Sequence, residues 1–241
     1  MEESPRLPLS DLPPVTLSVV IMAYNEAENL PHLLPLVQAY LTKHERIADW
    51  EVLVVDDGST DGTARVVEDA ARGDVRIKLL RHEVNRGMGA AIRTGYAAAS
   101  SQYVTQLPAD LQVLPAVFDR FLPYVPVYDL VLSVYEDRNE VMVRRILSRG
   151  YRVIGRLLVG RRADYTGTMM FRRSLLDNIT LGSDSFVANL EFPVKALNRG
   201  ATHALVSFVP EPRLSGASKV ANSRRILFVF AELLKMRMRG L

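Results

Sequence analysis

Val54-Val55-Asp56-Asp57-Gly58-Ser59-Thr60-Asp61-Gly62-Thr63 is the stretch from which the first half of the chain is read. Glu51 to Val55 is a short, largely apolar run, the pattern of a strand buried on both faces of a parallel sheet. It breaks at Asp56-Asp57-Gly58-Ser59, and Asp61 to Arg72 reads as a helix with Asp61 placed to cap it. Moving outward, the same unit recurs. Leu17 to Ala23 is an apolar strand before a helical segment at Glu26 to Leu41, and Val75 to Arg81 is a third strand before an Ala-rich helix at Gly89 to Ala99. Tyr103 to Leu107 is a fourth strand, broken by Pro108. Alternation of this kind predicts βαβ units with right-handed crossovers and a mostly parallel central sheet flanked by helices, an α/β fold.

In such sheets ligands bind beyond the carboxyl ends of the strands. The four predicted strand ends carry Tyr24-Asn25-Glu26, then Asp56 through Thr63, then Asn85-Arg86-Gly87, then Ala109-Asp110-Leu111-Gln112. Acidic residues after successive parallel strands face one crevice, where they can hydrogen-bond a nucleoside or hold a hard cation. Gly58 and Gly62 allow tight turns that leave backbone N–H groups available. Taken singly these are ordinary turns, and Asp61 is an ordinary cap; their order along the chain is what points to a site.

The second half is less regular. Asp129 to Val134 reads as a strand, Val141 to Val159 as an amphipathic basic helix and Thr168 to Phe171 as a short strand. Phe186 to Asn198 reads as a helix ended by Gly200, and Ala201 to Val209 as another strand. Residues 223–239 place Ile226, Leu227, Phe230, Leu233, Leu234 and Met238 among Arg and Lys, a C-terminal amphipathic basic helix. Residues 1–14, acidic and rich in proline, form an extended lead-in to a single domain over 15–241.

Composition narrows the chemistry. The absence of Cys excludes thiolate catalysis, Zn–Cys sites and disulfides, and favours a reducing compartment. His32, His44, His82 and His203 show no metal-ligand spacing. No run approaches the roughly 20 apolar residues of a spanning helix, and the start has no signal-peptide pattern. A cytoplasmic protein is expected, peripheral at a membrane surface. The net charge of +3 hides late basic clusters, Arg144-Arg145, Arg161-Arg162, Arg172-Arg173, Arg224-Arg225 and Lys235 to Arg239, suited to anionic lipid or a phosphorylated substrate. No aromatic residues interleave with them as in a nucleic-acid reader, so no nucleic-acid partner is expected.

The chain resembles the family-2 glycosyltransferases of GT-A fold, and within them the dolichol-phosphate mannose synthase and polyprenyl-phosphate glycosyltransferase group. The matching segments are the four strand-end motifs with Ile146-Leu147-Ser148-Arg149, Asp164-Tyr165-Thr166-Gly167-Thr168 and Arg213-Leu214-Ser215-Gly216-Ala217-Ser218-Lys219, in the family's order. The resemblance implies an inverting transfer of a hexose from a nucleotide sugar, of GDP-mannose or UDP-glucose type, to a polyprenyl phosphate. On the donor side it implies Ala23, Tyr24, Glu26, Val55, Asp56, Asp57, Arg86 and Ala109, with Asp110, Arg213 and Lys219 toward the diphosphate. Asp110 and Gln112 would hold Mg²⁺ or Mn²⁺. Arg138, Arg144, Arg145, Ser148, Asp164 and Ser218 would line the acceptor side. Asp110, Glu191 and Arg213 are the candidate catalytic residues, with Glu191 a general base, a sugar-binding carboxylate or a packing residue.

Two positions depart from the family pattern. Pro108 stands where the family's Asp-Ala-Asp begins, and it supplies neither a side-chain oxygen nor a backbone N–H. Either Asp110 and Gln112 hold the cation with diphosphate oxygens and water, or Arg86, Arg213 and Lys219 neutralise more of the leaving charge. Val134-Tyr135 stands where relatives carry an Arg, and Arg138 lies three residues on. A glycan or lipid hydroxyl as acceptor, and a binding protein without catalysis, are the alternatives.

Overall fold

The computed structural model describes residues 12–135, 168–211, 232, 234 and 235. Its strands are β1 (Val15–Ala23), β2 (Ile47–Asp56), β3 (Ile77–Arg81), β4 (Tyr103–Pro108), β5 (Leu130–Tyr135), β6 (Met169–Arg172) and β7 (His203–Phe208). Its helices are α1 (Leu30–Lys43), α2 (Thr63–Gly73), α3 (Met88–Ala98), the short α4 (Phe118–Phe121) and α5 (Ala188–Asn198). The strands form one sheet in the order β3-β2-β1-β4-β6-β5-β7. β1 pairs in parallel with β2 and β4, β2 with β3, and β5 with β7; β6 runs antiparallel to both β4 and β5. The sheet is therefore mixed but mostly parallel, as the alternation predicts.

The apolar runs of β1 and β2 are explained by cover on both faces. Val19, Ile21, Val52 and Val54 pack with Leu33, Val37 and Leu41 of α1 and with Phe118 and Phe121 of α4. Their sequence neighbours Val20, Leu53 and Val55 point the other way, to Ile92 and Tyr96 of α3 and Phe192 and Ala196 of α5. Tyr96 stands edge-on to Phe171 and Phe192, at 5.0 and 5.6 Å between ring centroids. Burial of each large apolar side chain contributes about 1.5–3 kcal/mol, so the two clusters hold the strand ends rigidly in place.

Boundaries differ from expectation where side chains outside the periodic pattern decide. α1 starts at Leu30 rather than Glu26, because Asn25 takes a left-handed φ of 54°. The N–H groups of Asn25, Glu26 and Ala27 are also drawn to Ser59, Thr63 and Asp61. β2 starts four residues ahead of its apolar run, through exposed Ala48 and Asp49 that give no hydrophobic signal. The 3₁₀ turns at Pro115–Val117 and Arg173–Asn178 and the four-residue α4 are too short to show a period. α5 ends as expected, with Gly200 at φ 87° and Ala201 N–H bonded back to Ala196 O. The basic helix expected at 141–159 lies outside the described residues; of 223–239, Glu232, Leu234 and Lys235 are described and helical.

Candidate active site

The parallel register brings the carboxyl ends of β2, β1 and β4 side by side, since Ala23 pairs with Asp56 and Met22 with Pro108. The loops after β1 and β2 are then stitched together. Asn25 N–H donates to Ser59 Oγ and Glu26 N–H to Thr63 Oγ1, both at 2.9 Å. Thr60 N–H returns a bond to Asn25 Oδ1 at 2.9 Å. Asp61 serves this joint, accepting from Ala27 N–H at 3.2 Å and from Thr63 N–H at 2.9 Å. Burial pushes its pKa up, but the Thr63 hydroxyl and these backbone donors outweigh it and hold the carboxyl below its ordinary range.

Asp56 and Asp57 sit at the bottom of this joint. Asp56 is fully buried, with Oδ1 accepting Ser59 N–H at 2.9 Å. Its Oδ2 has no hydrogen-bond donor among the described residues, and Arg81 Nε lies 3.5 Å away as an ion-pair partner. The ion pair is real as electrostatics but too long for a good hydrogen bond, so one lone-pair position is left for an incoming N–H. Asp57 differs. Its Oδ1 accepts Arg86 N–H at 2.9 Å and lies 2.7 Å from His82 Nδ1, while Oδ2 accepts Gly87 N–H at 2.8 Å. Asp57 therefore holds the Asn85-Arg86-Gly87 loop. Gly58 makes this approach possible: φ is 70°, and a Cβ there would lie 2.3 Å from the Val84 carbonyl carbon.

The β4 end turns through Leu111, at φ 59°. Gln112 N–H closes the turn on Asp110 Oδ1 at 3.2 Å, leaving Asp110 partly exposed. Glu211 N–H donates to Gln112 O at 2.9 Å, which places the chain two residues ahead of Arg213 beside this turn. Tyr135, at the end of β5, stacks edge-on with Phe208 at 5.2 Å. Its phenol is pushed up to about 12 by burial, with the Asp110 carboxylate adding to the shift. Tyr135 thus lies within electrostatic reach of Asp110, a neighbour that sequence reading marked only as a departure.

Other expected residues are placed as follows. Ala23, Val55 and Ala109 are buried, so any contact they offer runs through the main chain; Tyr24 and Arg86 are exposed and Glu26 is half-buried. Glu26 Oε2 accepts Asn29 Nδ2–H at 2.6 Å. Glu191 is 3% exposed, and its carboxylate accepts Gly182 N–H at 3.0 Å, Ser183 N–H at 2.9 Å and Lys195 Nζ at 2.6 Å. Burial pushes its pKa up, but Lys195 and the two amides outweigh this and hold the carboxyl below its ordinary range. As placed, it anchors a loop rather than offering a base. Glu232, which no sequence signal singled out, takes the next two amides of that loop, Asp184 N–H at 3.0 Å and Ser185 N–H at 3.3 Å. Arg138, Arg144, Arg145, Ser148, Asp164, Arg213, Ser218 and Lys219 lie outside the described residues.

Among the described residues no cluster of three or more His, Asp or Glu is poised for a metal. One carboxylate at Asp110 with the Gln112 amide fits Mg²⁺ or Mn²⁺ only as a partial oxygen set, the kind that substrate phosphates and water complete. An open hollow beside Tyr40, His44 and Asp119 sits at the C-terminal end of α1, by the amino ends of the strands and away from these loops.

A mostly parallel sheet with acidic loops gathered at its carboxyl edge defines an α/β domain of the GT-A kind. Glucosyl-3-phosphoglycerate synthase from Mycobacterium tuberculosis, solved with Mn²⁺, UDP-glucose and phosphoglyceric acid, superposes with a TM-score of 0.68 at 19% identity, over 93% of this chain and 80% of that one. The same enzyme with Mg²⁺ and UDP gives 0.67 at 18%, over 98% and 86%. The chain belongs to glycosyl transferase family 2, whose sequence profile matches residues 18–180. Undecaprenyl-phosphate 4-deoxy-4-formamido-L-arabinose transferase of Pectobacterium atrosepticum is 34% identical over 166 residues, 66% of this chain and 50% of that protein. Its counterpart in Salmonella choleraesuis is 30% identical over 168 residues, 68% and 50%. The chain spans about half the length of these curated relatives. No helix among the described residues is long and apolar enough to cross a membrane.

Proposed function

We propose that this chain transfers a sugar from a nucleoside-diphosphate donor to a polyprenyl phosphate, with inversion at the anomeric carbon. What most supports the reading is the buried Asp56 carboxylate, one oxygen of which lacks a hydrogen-bond donor among the described residues, in a family-2 frame whose relatives are named for undecaprenyl phosphate. An acceptor-only oxygen in that position suits the imino N–H of uracil or guanine. Tyr24 and Glu26 serve the base and ribose, and Asp57 serves the donor through the Arg86 loop it fixes, on the diphosphate side.

In the reaction a phosphate oxygen of the acceptor forms a bond to the anomeric carbon while the bond to the diphosphate oxygen breaks. The acceptor monoester, with a second pKa of about 6, is already ionised at neutral pH and needs no strong base. This agrees with a Glu191 already held by Lys195 and two amides. Asp110 and Gln112 would hold the divalent cation, which when bound supplies charge neutralisation for the departing diphosphate. Arg86 on the rim, with Arg213 and Lys219, adds cationic groups for the same anion. Arg138, Arg144, Arg145, Ser148, Asp164 and Ser218 are proposed for the acceptor side, at a membrane surface on the cytoplasmic side where the lipid is reached.

Calorimetric titration of GDP-mannose, UDP-glucose and nucleotide-linked 4-deoxy-4-formamido-L-arabinose, each with Mg²⁺, Mn²⁺ or EDTA, tests the donor half. Incubation of the bound donor with undecaprenyl phosphate tests the acceptor half. Metal-dependent binding of one donor and lipid-linked product are expected; binding of none of these, or transfer to a hydroxyl instead, would overturn the reading.

A further inference from the structure

Behind the crevice lies a buried relay that the reaction chemistry leaves unused. His82, at the end of β3 and 6% exposed, bridges Asp57 Oδ1 at 2.7 Å through Nδ1 and Thr94 Oγ1 of α3 at 2.9 Å through Nε2. An ionised carboxylate only accepts, so Nδ1 carries the hydrogen; in the neutral ring Nε2 then accepts from the Thr94 hydroxyl. The backbone pins the ring as well, because His82 N–H donates to Asp56 O at 2.9 Å. Asp57, 4% exposed, also accepts Arg86 N–H and Gly87 N–H. An Asp, a His and a hydroxyl in line have the outline of a nucleophilic triad, but here the carboxylate end is turned to the backbone of the Arg86 loop.

We propose that His82 is a positioning residue for the donor site: its Nδ1–H fixes the Asp57 carboxylate in the one rotamer that holds the Arg86-Gly87 amides, and so sets where Arg86 stands toward the donor diphosphate. The part concerning the donor rests on the functional reading above, while the part concerning the loop does not. Without the ring donor, a buried carboxylate lacks one of its three partners and turns to recover another. Loosening would appear first in the two amides it holds.

The isosteric variants separate this role from simple packing. In His82→Asn the side-chain amide nitrogen stands where Nδ1 stood, and in His82→Gln it stands where Nε2 stood. Hydrogen exchange on the full chain without ligand is expected to show wild-type protection at residues 84–89 in His82→Asn and about tenfold faster exchange in His82→Gln, the loss expected for one charge-assisted bond. With a donor identified, His82→Gln raises its KM about tenfold with kcat changed less than about threefold, and His82→Asn restores it. Equal behaviour of the two variants overturns the proposal, as does faster exchange in His82→Asn even where His82→Gln does not fold. Normal exchange discrimination with no donor bound by the wild type would instead sink the functional reading and leave the loop role standing.

Discussion

Asp56 and Asp57 are adjacent in the chain and differently employed. Asp56 keeps one buried oxygen without a hydrogen-bond donor among the described residues, with Arg81 its ion-pair partner, whereas both Asp57 oxygens accept hydrogen bonds from within. Asp56→Asn can turn an N–H toward the base, so it is expected to weaken donor binding about tenfold or more with little change in unfolding midpoint, as calorimetry and thermal melts will show. Asp57→Asn sets an amide among three donors and is expected to cost about 1–3 kcal/mol of stability, read from denaturant unfolding. The sequence announced that these two acids belong to a strand-end site, because an apolar strand running into an acidic, Gly-containing turn sets carboxylates at the ligand-binding edge of a parallel sheet. It could not divide their roles, since the division depends on His82, Arg86 and Gly87, whose side chain and amides reach Asp57 across 25 to 30 residues of chain. His82 was invisible for the same reason: a single histidine with no ligand spacing carries no signal until its neighbours in space are known.

Between residues and the sheet lies the loop at 182–185, whose four successive amides are divided between two buried carboxylates, Glu191 of α5 and Glu232 of the C-terminal segment. The loop packs on the start of α3: Gly89 N–H donates to Asp184 O at 2.9 Å, and Arg93 reaches Ser183 O and the Asp184 carboxylate. A Cβ on Gly89 would come within 2.1 Å of Ser183 O, a backbone atom with little freedom to move. Gly89→Ala is therefore expected to lose about 2–3 kcal/mol through overpacking despite the better helix propensity of alanine, which urea unfolding will measure. Glu232→Ala should leave the Asp184 and Ser185 amides unpaired, costing about 1–3 kcal/mol and raising hydrogen exchange at residues 182–186 before other segments. The helical period at 223–239 predicted an apolar face but gave no hint of this tie, because Glu232 is a polar residue whose burial depends on where the helix docks.

Across the whole molecule, the parallel half of the sheet is joined at its amino edge by one buried acid. Glu51 of β2 accepts from Ser18 of β1 at 2.7 Å, from Lys78 of β3 at 2.8 Å, and from the Ser100 N–H and hydroxyl ahead of β4 at 2.7 and 2.8 Å. It thus links all four parallel strands at the end opposite the candidate site. Burial pushes its pKa up, but Lys78, Ser18 and Ser100 outweigh that penalty and bring the carboxyl down to about 2 from its ordinary 4.5. A folded-state pKa below the unfolded one means that the unfolded chain binds the proton more readily, so acid favours unfolding. The stabilisation is fully present above about pH 4.5 and is lost as the pH falls toward 2. Asp61, Asp129 and Glu191 are shifted in the same direction and steepen the same decline. Denaturant unfolding between pH 7 and pH 2 is expected to show a plateau followed by a fall through this window. In Glu51→Gln the fall should be shallower and the pH 7 value lower, because the amide gives up the charge that Lys78 and the serines hold, while half-exposed Lys78 returns to water. A variant whose pH profile runs parallel to wild type would show that acid lability arises elsewhere. Donor binding by the folded variant should be unchanged at neutral pH, because Glu51 joins the strands at the end away from the loops that carry Asp56 and Asp110.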